Sequence, residues 1–350
     1  MLLALLCAAA IAGCKKDPAT NGSTVETTGN IAYVLNEGGW GLNEAELSVI
    51  DLDNQRITNN YFAQQNRRGL GSVAQDVIVY GSKVYVAVWE SNTIEVLDRS
   101  TGISTQIGMG DRGPRYLAAC EGKVYASCYQ PYSVVRIDTA SLRIEATCQL
   151  SGTRPEGICA ADGKLYVVNS WKPDAAGNAI YDSTLSVVDI ATFSETQKIT
   201  IGPNPQKVKT VDGGYLAVSY TGDYGEHTGG IAVLDMEDMS LRHHEANVSN
   251  MDTYNGKIYY YGNSHGSAWN GVIHVLDAVT MQESNITLDK TSQFSQTYYP
   301  YAINVSRRDG SIYIAGAQYG ANGDIYRLTP TGSIAWQLEA GPLPSKIVEP

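Results

Sequence analysis

From residue 31 onward the chain alternates apolar and polar positions in short runs, as in Lys123-Val-Tyr-Ala-Ser-Cys128. A period of two sends successive side chains to opposite faces of a pleated strand, and the β-branched residues in these runs suit that surface. No stretch sustains a helical period, and turns rich in Gly, Asp, Asn and Ser separate the runs. The pattern predicts many short strands and an all-β fold.

The runs recur in a fixed order. Pro114-Arg-Tyr-Leu117, Gly122-Lys-Val-Tyr125 and Val135-Arg-Ile-Asp138 return as Pro155-Glu-Gly-Ile158, Gly163-Lys-Leu-Tyr166 and Val187-Val-Asp189. They return again as Pro205 to Val208, Gly213 to Tyr215 and Val233-Leu-Asp235, and as Met251, Gly256 to Tyr259 and Val275-Leu-Asp277. The leading positions are 74, 114, 155, 205, 248, 300 and 344, with spacings of 40 to 52 residues. That length suits four short strands and their turns, the unit of a β-propeller. Ile31–Val34 matches a second strand with no first strand before it, and Leu343–Val348 matches a first strand alone. Joined, they make one blade. The expectation is a seven-bladed β-propeller over residues 30–350, with four-stranded blades, closed by Pro344–Val348 pairing with Ile31–Asn36.

Residues shared by the copies belong to the scaffold. Tyr33, Tyr85, Tyr125, Tyr166, Tyr259 and Tyr313 occupy one repeat position and read as packing between blades. Asp51, Asp98, Asp138, Asp189, Asp235 and Asp277 each end a strand before a turn, where an Asp carboxylate bonds backbone N–H groups just ahead. Gly108–Gly113 fits GxGxxG, but Pro114 and a strand follow where a dinucleotide site needs a helix. Gly262–Gly266 fits GxSxG, but a loop follows where a nucleophile elbow needs a helix. His243 and His244 point to opposite faces of a strand and make a poor chelate, and the Asp223, Glu226, His227 loop reads as solvated. No metal site and no catalytic residues are expected.

The front end follows different rules. Leu2 to Ala12 is apolar and too short to span a bilayer, and Ile11-Ala12-Gly13-Cys14 resembles the bacterial lipobox. Residues 1–14 therefore read as a signal peptide with Cys14 as the lipidated residue. Residues 15–29 are polar and read as a flexible tether. The lipid would be the sole membrane attachment. A formal net charge of −11 argues against nucleic acid as a partner. Cys120, Cys128, Cys148 and Cys159 form no CxxC pair; they could bridge in three ways or serve as small buried apolar groups.

Function in a repeat ring is expected where copies differ. They differ most between the second and third strands of each unit, at 36–46, 88–92, 128–133, 169–183, 219–230, 262–271 and 316–323. These loops share one face of a propeller. They hold Trp40, Trp89, Trp171 and Trp269, and also Tyr129, Tyr132, Tyr220, Tyr224 and Tyr319. Connections to the next unit bring Arg115, Tyr116 and Arg154 to the same face. The expectation is a ligand-binding mouth of aromatic planes suited to a flat or ring-shaped ligand. The competing reading is that these rings cover neighbouring loops or seal the central channel.

Val34-Leu-Asn-Glu-Gly38 with Trp40, Gln75–Lys83, Ser91–Val96, Pro155-Glu-Gly157 and Gly163–Val167 resemble the YncE-like propellers of Bacteroides-type lipoproteins. The resemblance covers nearly the whole chain after Cys14. Within that group, similarity to the BtuG-like surface lipoproteins implies cobalamin or another corrinoid as bound ligand. It also implies hand-over to an outer-membrane TonB-dependent transporter, and a place at the outer membrane facing outward. A glycan- or protein-binding propeller of surface-layer or adhesion type is the alternative. A propeller lyase or lactonase is disfavoured, because the first-strand positions Gln75, Arg115, Glu156, Gln206, Ser249, Tyr301 and Ser345 offer one carboxylate and no His.

Overall fold

The computed structural model describes residues 29–262, 269–288, 299–318 and 320–350. Its strands form seven four-stranded antiparallel sheets. The innermost strands are Pro344–Val348, Ala74–Tyr80, Pro114–Cys120, Pro155–Ala161, Pro205–Val211, Asn250–Tyr254 and Tyr299–Val305, which define blades one to seven. Each packs against the inner strands of both neighbouring blades, and Tyr299–Val305 meets Pro344–Val348 to close the circle. The closing pair has the expected register: Tyr33 faces Val348 and Val34 faces Ile347. Closure leaves only outer edges unpaired.

The core is divided into seven clusters, each lying between two blades. The repeated tyrosines fill them. Tyr33, Tyr85, Tyr125, Tyr166 and Tyr313 are fully buried and lean on the next blade, while Tyr259 is half-buried in the same role. Burial pushes the Tyr33, Tyr85 and Tyr125 hydroxyls up to about 12. Blade five departs from the pattern. Tyr215 pairs with Asp235, the place lysines hold in other blades, and Ala217 stands where the packing ring is due. Tyr260 of blade six enters that cluster instead.

At one end of the blades the Asp turns behave as expected. Asp98 Oδ1 accepts the N–H of Ser100 and Thr101, and Asp138 Oδ1 accepts those of Ala140 and Ser141. Asp51 and Asp277 do the same. The four cysteines are free thiols, two buried and two half-buried. Cys14 and residues 15–28 lie outside the described residues, as does most of Gly262–Gly266.

Two features were not expected. The 169–183 loop folds into a small hairpin of its own, Trp171–Pro173 against Ala179–Tyr181. Six of the seven inner strands carry a register shift near their first residues.

Candidate functional site

The register shifts are β-bulges, and a bulge turns an extra side chain out of the ladder. The residues released are Gln75, Arg115 with Tyr116, Glu156 with Gly157, Gln206, Tyr301 and Ser345. They stand at the rim of the central channel. Arg115 Nε donates to Glu156 Oε2 at 3.0 Å, and its Nη1 donates to Gln75 Oε1. The Tyr129 hydroxyl donates to Glu156, and Gln75 Nε2 donates to the Tyr116 hydroxyl at 3.2 Å. Burial works against the Arg115 charge, but Glu156 beside it holds the guanidinium protonated. Gly157 is required here: a Cβ would lie 2.8 Å from Lys207 Cα, where the inner strands of blades four and five converge.

Above this rim runs a line of rings and guanidinium groups. Trp40 meets Trp89 edge-on at 4.8 Å, and Trp89 meets Tyr129 at 5.8 Å. Arg115 lies 4.6 Å from the Trp89 ring and 4.7 Å from that of Tyr129. Arg154 sits between Tyr129, at 5.4 Å, and Trp171, at 3.8 Å. Trp171 faces Tyr181 across the small hairpin, and Tyr181 meets Tyr224 at 6.0 Å. Seven of these eight residues are site residues in the sequence reading, and Tyr181 is the eighth; Tyr116, also expected at the site, joins from below, 5.9 Å from Arg115. The line crosses blades one to five. Its ends are open, Trp40 being 64% and Tyr224 73% exposed.

The loops that carry the line are tied to each other. Glu90 accepts from the Gly41 N–H and the Ser72 hydroxyl, joining blades one and two. Asn92 Oδ1 accepts the Gly113 N–H at 2.8 Å. Asp182 Oδ2 accepts the Thr153 N–H at 3.0 Å, which holds the turn before Arg154 against the hairpin loop. Arg154 itself adopts φ 41°, a left-handed conformation that Gly113 and Asn204 take in blades three and five.

Two expected site residues stand elsewhere. Tyr220 is 6% exposed and packs in the core between blades four and five, over Gly202 and Gly230, whose hydrogens leave room for its ring. Trp269 also lies down, edge-on to Tyr261 with Nε1 donating to the Val272 carbonyl. Tyr132 lines a side pocket with Tyr129, Gln130, Gln149 and Arg154. Tyr319 lies outside the described residues.

Below the rim the channel opens into a cavity of about 360 Å³. Its charged lining was not assigned from sequence, although alternation along Pro205–Val211 sends Lys207 and Lys209 to one side. Lys346 Nζ contacts Asp76 at 2.6 Å and Lys209 Nζ contacts Asp252 at 3.1 Å. Glu37 accepts from the Tyr301 hydroxyl at 2.6 Å, and burial pushes its carboxyl up. Among the described residues no three His, Cys, Asp or Glu are placed to hold a metal ion.

No protein-family profile matches the chain. No curated protein matches it either. Solved structures do match its fold. Kuenenia stuttgartiensis hydrazine synthase superposes with a TM-score of 0.56 at 15% identity, over 71% of this chain and 74% of that one. A dihydro-heme d1 dehydrogenase, NirN, solved in complex with DHE, gives 0.58 at 14% identity, over 88% of this chain and 63% of that one. The designed protein Ika8 gives 0.52 at 11% identity. At these identities the likeness is one of fold. It places the chain among seven-bladed propellers, a class that includes both binding proteins and enzymes.

Proposed function

We propose that the mouth binds a large, mostly flat ligand, a corrinoid such as cobalamin, and performs no chemistry on it. The observation that carries this reading is the continuous line of rings and guanidinium groups from Trp40 to Tyr224, open at both ends. Aromatic planes bury about 150–250 Å² each, and an exposed set on one face supplies the area a large ligand needs. Amide-bearing rim residues such as Gln75 and Gln206 suit a ligand edged with amides. The resemblance to BtuG-like lipoproteins supports the same ligand. A binding role is supported by the carboxylates nearest the mouth being already engaged: Glu156 at the rim by Arg115 and Tyr129, and Glu37 in the cavity below by Tyr301.

In this reading the protein is a lipoprotein of the outer membrane, held through Cys14, that presents its ligand to a TonB-dependent transporter. A glycan chain is the second reading, favoured by the elongated course of the line across five blades.

The test is retention of colour. Purified protein incubated with cobalamin and freed of excess should keep the corrin absorbance, and Trp171→Ala should weaken binding roughly tenfold or more while the circular dichroism stays unchanged. No retained absorbance at micromolar protein would reject the corrinoid, and affinity for polysaccharide in its place would select the second reading.

A further inference from the structure

The channel cavity holds three lysines, and two of them are neutralised. Lys346 is paired with Asp76 and Lys209 with Asp252. Lys207 has no carboxylate within ion-pair distance among the described residues; its Nζ donates to Asn250 Oδ1 at 2.6 Å. That oxygen is also committed to the Met251 N–H at 2.8 Å, and the Asn250 amide nitrogen donates to the Tyr301 carbonyl at 3.0 Å. Asn250 is thus fixed in orientation and offers Lys207 a neutral partner. An ammonium has three donors, and one is used. Lys207 lines a cavity of about 360 Å³ that is also lined by Gln75, Tyr116 and Tyr301.

A cation enclosed by protein without a counter-charge is costly, and proteins normally pair or neutralise it. The surroundings here supply Lys207 with no ion-paired carboxylate among the described residues and disfavour its charge. Burial, with Lys209 and Lys346 close by, brings the Lys207 amine down to about 8. Glu37, the nearby carboxyl not committed to a lysine, is itself pushed toward its neutral form by burial. Of the three lysines that line the channel, Lys207 alone is left without an ion-paired carboxylate among the described residues.

We propose that the channel below the mouth is a second binding site, for a small oxyanion of carboxylate or phosphate type, anchored by Lys207 and oriented by Asn250. The site is separate from the aromatic line: none of the rings of that line borders it, apart from the rim residue Tyr116. An anion seated there supplies the missing counter-charge, so binding and folding stability are coupled.

The test uses the full chain, inorganic phosphate and acetate. Calorimetric titration of the wild type at neutral pH should show binding of at least one of the two, with a rise in Tm. Lys207→Met should weaken that binding roughly tenfold or more, and Lys207→Arg should retain it. With no anion added, Lys207→Met should melt above the wild type, because it removes an uncompensated charge; an amine with a purely structural role would give the opposite. Trp171→Ala should leave phosphate and acetate binding unchanged, which separates this site from the mouth. The proposal is overturned if the wild type binds neither anion at millimolar concentration. It is overturned equally if Lys207→Met binds as well as the wild type, or melts below it without anion.

Discussion

The two ends of the blades solve different problems with the same strands. At one end, blade after blade turns on an Asp whose carboxylate accepts backbone N–H groups, and the side chain is used up in holding its own turn. At the other end no two blades agree: one loop carries Trp40, another folds a hairpin around Trp171, and a third buries Tyr220. The lesson is that repetition marks residues whose partners are themselves repeated, in their own turn or in the core against the next blade. Divergence marks residues whose partners occur once, in a single loop or in a ligand.

The comparison breaks first at Tyr220, which sits at the variable end but is packed like a repeated residue. Tyr220→Ala should destabilise the protein by about 3–5 kcal/mol in urea unfolding, with ligand affinity of the folded protein unchanged. A small loss of stability would return Tyr220 to the mouth.

Arg154 tests the opposite case. Its φ of 41° strains a residue with a Cβ, and glycine relieves that strain at the expense of backbone entropy. Arg154→Gly should leave Tm nearly unchanged. It should weaken mouth binding about tenfold, because a guanidinium held between Tyr129 and Trp171 is lost. A large drop in Tm would make Arg154 a scaffold residue.

The smallest effect belongs to the turn end. Hydrogen bonds from the turn hold the Asp98 carboxyl below its ordinary value of 3.8, and Asp51, Asp189 and Asp277 are lowered in the same way. A group lowered by folding contributes stability above its unfolded value and loses it as pH falls through the folded one. The urea midpoint should therefore be flat from neutral pH to about pH 4 and decline below it. Asp98→Asn should make that decline shallower, with little change at pH 7. An unchanged slope would mean that the turns are not held by charge.

The fold was legible because its determinants are local and recur. The Gly-Lys-x-Tyr runs, the Asp turns and the half-units at the two ends carried the blade number and the closing pair Tyr33 with Val348. Most of the aromatic line was legible as well, since loops far apart in sequence share a face once the ring is closed. What escaped was set by contacts between blades. The bulges that turn Arg115 and Tyr301 out of their ladders interrupt the period of two just after the leading residue of the inner strand, a place the apolar–polar alternation does not mark. Tyr220 was misplaced because the space for its ring is made by Gly202 and Gly230, one of them outside its own loop. The role of Lys207 is not legible in the sequence, because it depends on Asp76 and Asp252 already being taken by other lysines.

Ile31 lies opposite Asp51 in the ladder, so the chain enters the first blade from the side where the carboxylate-capped turns are. The residues before Ile31 therefore join the propeller on the face away from the aromatic line. If the chain is held through Cys14 as proposed above, Trp40 and Tyr224 would lie on the side remote from that attachment.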